Sequence, residues 1–569
     1  MKHRAFPCTS QRLGPNVGRR RDDVTHPRSR MTPLRPDRPR RIPRRARDRA
    51  RTLALLLLVT ATAFTAAVPA VATEIPKAPG HRLVDAYRGA PAIPRPVPAD
   101  APPQHPHLAP NGRSGMHADA AGSGTHPYSG PLGRDPAVTS AQIAPVGGEC
   151  ATATFDSAGR LLTVCGTFTG FLLKLLDPRT LDTLAEYKLP QRSSTVEAVT
   201  RLDFSKIFKD TSGGAYFYLD DRDRVVLADS RQHVLRIAHN QGADGAWRFT
   251  VEDDWDLTAH VPHDCVSWTN LFPSGVCDPV TSVMPDWQGR IWWVTRLGRV
   301  GTVHPGTGAI RSLRLPGEEI QNSFSVAEDG VSIVSDHALY SFRAAPDGTP
   351  VVQWRQAYDR GTGTKPGSVN QGSGTTPDLF GQGGERYVAI TDNADDRMNV
   401  LVYRRGTDVS ADRRLVCTVP VFTPGASTTD NSLISWGNSL VVENNYGYEN
   451  PLSLTFGRSV TGGVTRIDVR PDGSGCDTVW DSAIRSPSTV PKLSTANGLL
   501  YFYEKEPNAL GIDAWYLTAV DFRTGERRWQ RLTGTGPAYD NNWAPITIGP
   551  DGTAYIGVFN GIVAVRDQG

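Results

Sequence analysis

The chain has 569 residues, of which 39% are hydrophobic, and its 12 Trp suit a packed protein rich in strands. The formal net charge of +4 is misleading, because residues 1–52 hold 17 of the 62 Lys and Arg and only four of the 58 Asp and Glu. The remainder has 45 basic and 54 acidic side chains, a net charge of −9. Such an acidic body argues against nucleic-acid binding, which needs a basic face.

Residues 1–72 have the pattern of a basic n-region followed by an export signal. An apolar run extends from Leu53 to Val68, and Ala70-Val71-Ala72 follows as a small-x-small cleavage pattern. The run is short for a membrane span, so we expect cleavage, secretion and no stable membrane span afterwards. A retained N-terminal anchor is the alternative. Arg44-Arg45 invites a twin-arginine (Tat) interpretation, but the residues after it match that motif poorly, which favours Sec-type export.

Residues 73–145 are rich in Pro, Gly and His, as in Pro91-Ala92-Ile93-Pro94-Arg95-Pro96-Val97-Pro98. Proline fixes φ and removes backbone donors, so this segment is predicted to be an extended linker. Four histidines lie in it: His105, His107, His117 and His126. We interpret them as solvated side chains; a metal-binding tail is the alternative.

Residues 146–569 consist of short β-rich runs separated by turn clusters, with no long 3.6-residue periodicity. One four-strand unit recurs eight times, with apolar second strands at Leu161–Cys165, Arg224–Ala228, Ile291–Thr295, Val331–Ser335, Tyr387–Thr391, Leu440–Glu443, Leu500–Tyr503 and Ala554–Val558. The pattern predicts an all-β, eight-bladed β-propeller after an N-terminal segment that we expect to be disordered. Seven blades are the alternative, because the unit spacing varies. The segment near residues 140–155 should close the ring, since an open ring exposes sheet edges.

The clearest repeat motif extends from Ala519 to Trp529, where a strand delivers Asp521 into a tight turn closed by Gly525. Its spacing, A-x-D-x-x-T-G-x-x-x-W, resembles the tryptophan-docking repeat of the quinoprotein-type (PQQ-repeat-like) β-propeller superfamily. Three further tryptophans, Trp247, Trp354 and Trp480, hold the docking position in other units. The dehydrogenases of that superfamily hold pyrroloquinoline quinone (PQQ) with calcium, and many have an adjacent Cys-Cys disulfide. This chain has no Cys-Cys pair and most of its repeats are degenerate, so PQQ is not expected.

Seven cysteines are present, and Cys8 lies upstream of the export signal. The other six predict three disulfides in an exported protein: Cys150, Cys165, Cys265, Cys277, Cys417 and Cys476. Fifteen pairings are possible. Short loops favour Cys150–Cys165 and Cys265–Cys277, which leaves Cys417–Cys476.

Polar residues mark the strand ends that face the central funnel of a propeller. They resemble, loosely, the calcium site of lactonase and gluconolactonase propellers, where oxygen ligands come from separate blades. That resemblance implies calcium ligands at Asn322, Asp392, Asn393, Glu443 and Asn444, with His337 or His263 as the catalytic base. Asn and Asp at strand ends are also ordinary turn and cap residues, which is the alternative interpretation.

Two classes of function follow from this reading. The first is a secreted, monomeric binding propeller that takes a small molecule, glycan or peptide in its funnel. The alternative is a calcium-dependent, lactonase-like hydrolase, so whether the protein is an enzyme stays open. A quinone-dependent dehydrogenase is the least favoured. The fold alone does not decide, because propellers host both binding and catalysis.

Overall fold

The computed structural model describes residues 71–143, 148–167, 170–202, 206–384 and 386–569. The predicted n-region, Cys8 and all but the last two residues of the export signal lie outside this part of the chain. Within it, none of the helices combines the length and the apolarity that crossing a bilayer requires.

Three strands precede the first blade: β1 (Tyr87–Gly89), β2 (Thr125–His126) and β3 (Ala137–Gln142). Blade 1 comprises β4 (Gly148–Phe155), β5 (Leu161–Thr167), β6 (Gly170–Leu176) and β7 (Thr183–Leu189). Blade 2 comprises β8 (Tyr218–Leu219), β9 (Val225–Ala228), β10 (His233–Gln241) and β11 (Trp247–Asp256). Blade 3 comprises β12 (Val280–Pro285), β13 (Ile291–Thr295), β14 (Arg299–Val303) and β15 (Ile310–Arg314). Blade 4 comprises β16 (Ser325–Ala327), β17 (Gly330–Val334), β18 (Ala338–Ala344) and β19 (Pro350–Ala357).

Blade 5 comprises β20 (Asp378–Phe380), β21 (Tyr387–Thr391), β22 (Asn399–Arg404) and β23 (Leu415–Pro420). Blade 6 comprises β24 (Ile434–Trp436), β25 (Ser439–Glu443), β26 (Val464–Val469) and β27 (Cys476–Ser482). Blade 7 comprises β28 (Lys492–Ser494), β29 (Leu499–Glu504), β30 (Ala514–Asp521) and β31 (Arg527–Thr535), extended by β2 inside and β1 outside. Blade 8 comprises β32 (Ile546–Ile548), β33 (Ala554–Val558) and β34 (Gly561–Arg566), with β3 outermost. The predicted eight-bladed propeller is therefore confirmed.

Helical segments are short and lie in connections. There are two α-helices among the described residues, α1 (Ser193–Arg201) and α2 (Ala411–Arg414). Separate 3₁₀ turns lie at His81–Leu83, Ile207–Lys209, Pro451–Leu454 and Pro537–Tyr539. Helix α1 and the turn at Ile207–Lys209 belong to the long connection between blades 1 and 2, which matters for the site described below.

Burial explains why the second strands read as continuous apolar runs. All five residues of β13 are buried, because this strand packs against the neighbouring blades on both faces. The outermost strand β11 instead alternates between half-buried and exposed positions along most of its length, as a strand with one solvated face does.

Two of the four motif tryptophans, Trp354 and Trp480, donate a hydrogen bond from one blade to the next, whereas the Nε1 of Trp529 is buried without a partner among the described residues. The indole Nε1 of Trp480 in blade 6 donates to the Phe522 carbonyl of blade 7 at 3.0 Å. Gly525 has φ 71°, and a Cβ there would lie 2.6 Å from the Trp480 ring, so the turn needs glycine for both conformation and space. Trp354 makes the equivalent bond from blade 4 to the Arg405 carbonyl of blade 5, at 3.1 Å.

The three disulfides are Cys150–Cys165, Cys265–Cys277 and Cys417–Cys476, which confirms the pairing favoured by loop length. The first joins two strands of blade 1, and the second closes a loop between blades 2 and 3. The third joins the outermost strands of blades 5 and 6.

The N-terminal segment closes the ring and crosses its centre. Strand β3 pairs antiparallel with β34, so closure is confirmed, by residues slightly earlier than the predicted 140–155. Farther upstream, four carbonyls accept hydrogen bonds from the first strands of blades 4, 5, 6 and 7: those of Ala120, Ala121, Ser123 and Gly124. Residues 112–126 therefore fill the central channel from the base, the face opposite the funnel.

The prediction of an extended linker with solvated histidines is wrong for this part of the chain. His105, His117 and His126 are buried, and burial lowers the pKa of each to about 3. His105 packs edge-on against Trp287, with ring centroids 4.3 Å apart. Proline pattern alone could not reveal this packing, because the partners come from residues far along the chain.

Candidate functional site

One face of the ring carries the connections between blades and the turns between second and third strands; we call it the funnel face. The predicted ligands Asn322, Asp392, Asn393, Glu443 and Asn444 lie on this face, each in a blade corner. Asp392 accepts from the backbone N–H and the side-chain amide of Asn399, both at 2.7 Å. Asn444 accepts from the N–H of Thr428 at 3.1 Å and donates to two carbonyls.

The two remaining asparagines also hold loops. The Asn322 amide donates to the Gly374 carbonyl at 2.6 Å. The Asn393 amide donates to the carbonyls of Arg360 and Gly363 at 2.7 and 2.9 Å. No hydrogen bond links any two of the five predicted ligands within the described residues, which also hold no group of three or more His, Cys, Asp or Glu placed to bind a metal ion. As a set, these side chains fit loop caps better than one calcium cage, and the calcium site stays a prediction.

Glu443 is the last residue of β25 and is buried. Its Oε1 accepts from the side-chain amides of Asn431 and Asn445, and burial raises its pKa to about 8. Lys492 lies in the same region, and its Nζ is buried without a hydrogen-bond partner among the described residues. Burial lowers the pKa of Lys492 to about 8, against the opposing charges of Asp378 and Asp119. We call this buried pair, Glu443 and Lys492, the hub; each of the two residues is at most 3% exposed.

The two predicted bases lie in separate loops. His337 Nδ1 is 2.8 Å from Asp336 Oδ1 in the corner of blade 4. His263 Nδ1 is 3.3 Å from the Val261 carbonyl, beside the loop closed by the Cys265–Cys277 disulfide. Neither histidine lines the cavity described next, and their catalytic roles stay predictions.

The glycine-rich stretch between blades 4 and 5 covers one side of the funnel. The N–H of Val369 donates to Asp430 at 2.6 Å, and Ser368 and Thr428 hydroxyls are 2.5 Å apart. This packing places the loop over blade 6. The other side of the funnel is open; it is lined by residues of blades 1 and 8, the connections at 190–217 and 536–545, and the Pro451–Leu454 turn of blade 6.

On that open side lies a cavity of about 340 Å³, which we call the funnel cavity. Apolar side chains dominate its wall, including Met116, Phe171, Phe208, Trp543 and Phe559. Met116 belongs to the N-terminal segment and forms part of the wall from the channel side. Three charged residues and several polar ones interrupt the apolar lining; those used below are Glu149, Arg192, Asp210 and Asn542.

Glu149 lies on β4, one residue before Cys150. Its Oε1 accepts the backbone N–H of Asn542 at 2.6 Å. Burial raises its pKa well above the usual range, which favours the protonated form of the carboxyl, a hydrogen-bond donor. Its second oxygen makes no hydrogen bond within the described residues, and the carboxyl is thus available to a ligand.

Arg192 precedes α1 and is buried. Its guanidinium lies 4.3 Å from the centroid of the Phe171 ring, a cation–π contact, and its Nε is 3.8 Å from Asp210 Oδ2. Burial alone would raise the pKa of Asp210, but the charge of Arg192 and the hydroxyls of Ser194 and Ser212 lower it. Asp210 therefore stays ionised and holds Arg192 at the cavity wall.

Trp543 adopts φ 67°, a left-handed conformation that is uncommon for a bulky residue. Its ring is T-shaped to Tyr448, with centroids 5.2 Å apart, and the Tyr448 hydroxyl donates to Asn542 Oδ1 at 2.8 Å. Backbone strain held in place by such contacts is typical of functional sites.

Sequence reasoning missed four residues of the cavity wall: Glu149, Arg192, Phe208 and Trp543. None of the four lies in a recognised motif. The available signal for Arg192 and Phe208 is the 28-residue connection from Leu189 to Tyr218, long for a propeller, in which loops commonly carry function.

No family model matches the chain. An uncharacterized protein of Archaeoglobus fulgidus is 28% identical over 316 residues, which cover 50% of this chain and 60% of that protein. The match thus spans less than two thirds of that relative.

Among solved structures, the quinohemoprotein alcohol dehydrogenase of Comamonas testosteroni has a TM-score of 0.48 at 11% identity, over 81% of this chain and 80% of its own. The C-terminal WD40 domain of Sif2 has a TM-score of 0.41 at 10% identity, over 74% and 97%.

Proposed function

We propose that the protein is a secreted, ligand-binding β-propeller whose funnel cavity takes a small molecule with an apolar body and one polar, hydrogen-bond-accepting group. The three disulfides are consistent with the secreted location predicted from the export signal. The observation that carries the proposal is an apolar cavity with one carboxyl, Glu149, and one buried guanidinium, Arg192, in its wall.

The size of the cavity favours a small molecule over a glycan or peptide. A volume of about 340 Å³ is at the small end of the range for sites that enclose drug-sized ligands. An extended chain would need an open groove, whereas the glycine-rich loop covers the other side of the funnel.

The polar side chains of the cavity wall indicate which kind of polar group the ligand carries. A protonated Glu149 offers a donor to a carbonyl, ether or hydroxyl oxygen, and Arg192 attracts partial or full negative charge. The aromatic lining favours a flat apolar body, because offset ring contacts add to area burial.

The test uses 8-anilinonaphthalene-1-sulfonate, a fluorescent aromatic anion, titrated into the full chain. Ala151 lines the cavity from β4, so Ala151→Phe should fill part of it and weaken probe binding at least about tenfold. Val479→Ser, on the exposed outer edge of blade 6, is the matched control and should leave binding unchanged. Equal binding by all three proteins would contradict the proposal.

The calcium-dependent, lactonase-like hydrolase is the alternative proposal. What favours it is Glu443, a buried carboxyl held by two amides in the channel. What opposes it is the use of Asp392 and Asn444 oxygens within their own loops. Also opposing it, the described residues hold no group of three or more His, Cys, Asp or Glu placed to bind a metal ion.

A further inference from the structure

Exposed apolar side chains concentrate on the funnel face. Of fifteen exposed large apolar side chains in the described residues, nine lie in its loops. We call the six most prominent the apolar rim: Leu202, Trp268, Phe272, Leu452, Phe456 and Leu510. Phe272, Phe456 and Leu202 are 87, 81 and 80% exposed, values that leave almost the entire side chain without a contact in the folded chain.

The rim surrounds the mouth of the funnel cavity. Leu452 itself lines the cavity. Phe456 follows it by four residues, and the N–H of Asn508 donates to Gly457, which brings the loop of Leu510 alongside. On the other side, the Trp268 indole donates to Gln191, the residue before Arg192, at 2.5 Å.

The rim loops are held in place before any partner arrives. The Cys265–Cys277 disulfide closes the loop that carries Trp268 and Phe272, and Asp264 accepts from Asn270 at 2.8 Å inside it. Because the loop is already fixed, it loses little conformational entropy when it docks on a partner. Phe272 is therefore held exposed by an ordered loop.

Basic side chains accompany the rim. Lys206 and Lys209 follow Leu202, and Arg458 follows Phe456; all three are exposed. Glu197 neutralises part of this charge through its contact with Lys206 at 2.6 Å. Lys209 and Arg458 make no ion pair with an acidic side chain within the described residues, so they can meet an anionic surface.

We propose that the funnel face docks peripherally on an anionic lipid bilayer, with the apolar rim entering the interface and Lys209 and Arg458 meeting the headgroups. Trp, Phe and Leu beside basic residues are the composition of interfacial membrane anchors. The anchors project from separate loops around an opening, and a fluid surface can contact all of them at once. Docking goes beyond the proposed function, because it requires no ligand in the cavity.

The experiment is co-sedimentation of the full chain with phosphatidylcholine vesicles, with and without phosphatidylglycerol. The double variant Phe272→Ser/Phe456→Ser should lower the apparent affinity at least about tenfold. Lys209→Glu/Arg458→Glu should lower it about tenfold or more on vesicles with phosphatidylglycerol and much less on phosphatidylcholine alone. Leu415→Ser/Val479→Ser, at exposed positions of outer strands, should bind like the unaltered chain. All variants carry the same N-terminal region, so only the rim differs.

Retained binding of 8-anilinonaphthalene-1-sulfonate by the rim variants shows that fold and cavity are intact and separates this test from that of the proposed function. Equal sedimentation of rim and control variants would overturn the proposal. So would a rim-dependent dimer in sedimentation velocity without vesicle binding, which would make the rim an interface between copies of the chain.

Discussion

The backbone N–H of Asn542 donates to Oε1 of Glu149 at 2.6 Å, which ties the loop entering blade 8 to the first strand of blade 1. The two residues are 393 positions apart in sequence and meet because the ring closes. The bond fixes the orientation of the Glu149 carboxyl at the wall of the funnel cavity, so the geometry of the site depends directly on closure.

Glu149→Leu should destabilise the fold by about 1–3 kcal/mol, because it leaves the N–H of Asn542 without an acceptor in a buried place. Glu149→Gln keeps the acceptor oxygen and resembles the protonated acid, so its stability near neutral pH should stay close to that of the unaltered chain. Urea unfolding of both variants measures the difference. Equal stability of the two would contradict the role given to this hydrogen bond.

Glu443→Gln should reduce the dependence of stability on pH. The pKa of Glu443 is raised to about 8 in the folded chain by burial, so its contribution is fully present below about pH 4.5 and is lost as the pH rises through 8. The unfolding free energy of the unaltered chain should therefore fall over this window by roughly a few kcal/mol. The variant should fall less, although not to zero, because burial also raises the pKa of Asp430 to about 8.

Thermal unfolding from pH 5 to 9 checks this prediction, with the exposed Glu526→Gln as the control. The same pH dependence in the Glu443 variant and the unaltered chain would show that this carboxyl does not stay protonated in the hub.

Gly122→Ala should destabilise the protein more than Gly317→Ala. The two glycines have nearly the same φ, 78° and 77°, so the backbone strain of alanine is matched at roughly 1–2 kcal/mol. A Cβ at Gly122 would lie 2.7 Å from Ser325 Oγ, whereas at Gly317 it would meet open space. Chemical unfolding measures the loss of unfolding free energy in each variant. A larger loss for Gly122→Ala shows that the N-terminal segment packs tightly in the channel; equal losses would mean that it packs loosely.

Removing the Cys417–Cys476 disulfide should cost more stability than removing Cys265–Cys277. The first encloses 59 residues and the second 12, which corresponds to about 4 and about 3 kcal/mol when unfolded-chain entropy dominates. Paired Cys→Ser variants, compared by urea unfolding under non-reducing conditions, measure the two losses. The reverse order would show that native-state packing around the shorter loop outweighs chain entropy.

Chelation of calcium with EDTA should leave the melting temperature unchanged. The side-chain oxygens of Asp392 and Asn444 already accept hydrogen bonds within their own loops, so they do not need a calcium ion as a partner. Differential scanning calorimetry before and after chelation, with calcium added back, is the measurement. A reversible drop restored by calcium would support the hydrolase alternative instead.

Eight blades could be predicted from sequence because turn residues and buried second strands such as Ile291–Thr295 recur along the chain, although their spacing varies. The disulfides followed from loop length. The course of residues 112–126 could not be predicted, since its partners are backbone groups of four distant blades and leave no periodic pattern in the segment itself.

The candidate site was harder for the same reason. Asn322, Asp392 and Asn444 have the residue types of ligands, and also those of loop caps, and only hydrogen-bond partners distinguish the two. Glu149 and Arg192 become informative through burial, which a sequence does not display for an isolated charged residue.

Pairing of β3 with β34 also covers an edge of blade 8. The outer edge of blade 8 is complete only when residues 137–142 have paired with residues 561–566. A chain that lacked residues 137–142 would leave blade 8 with three strands and the outer edge of β34 unpaired, a site at which another strand could add.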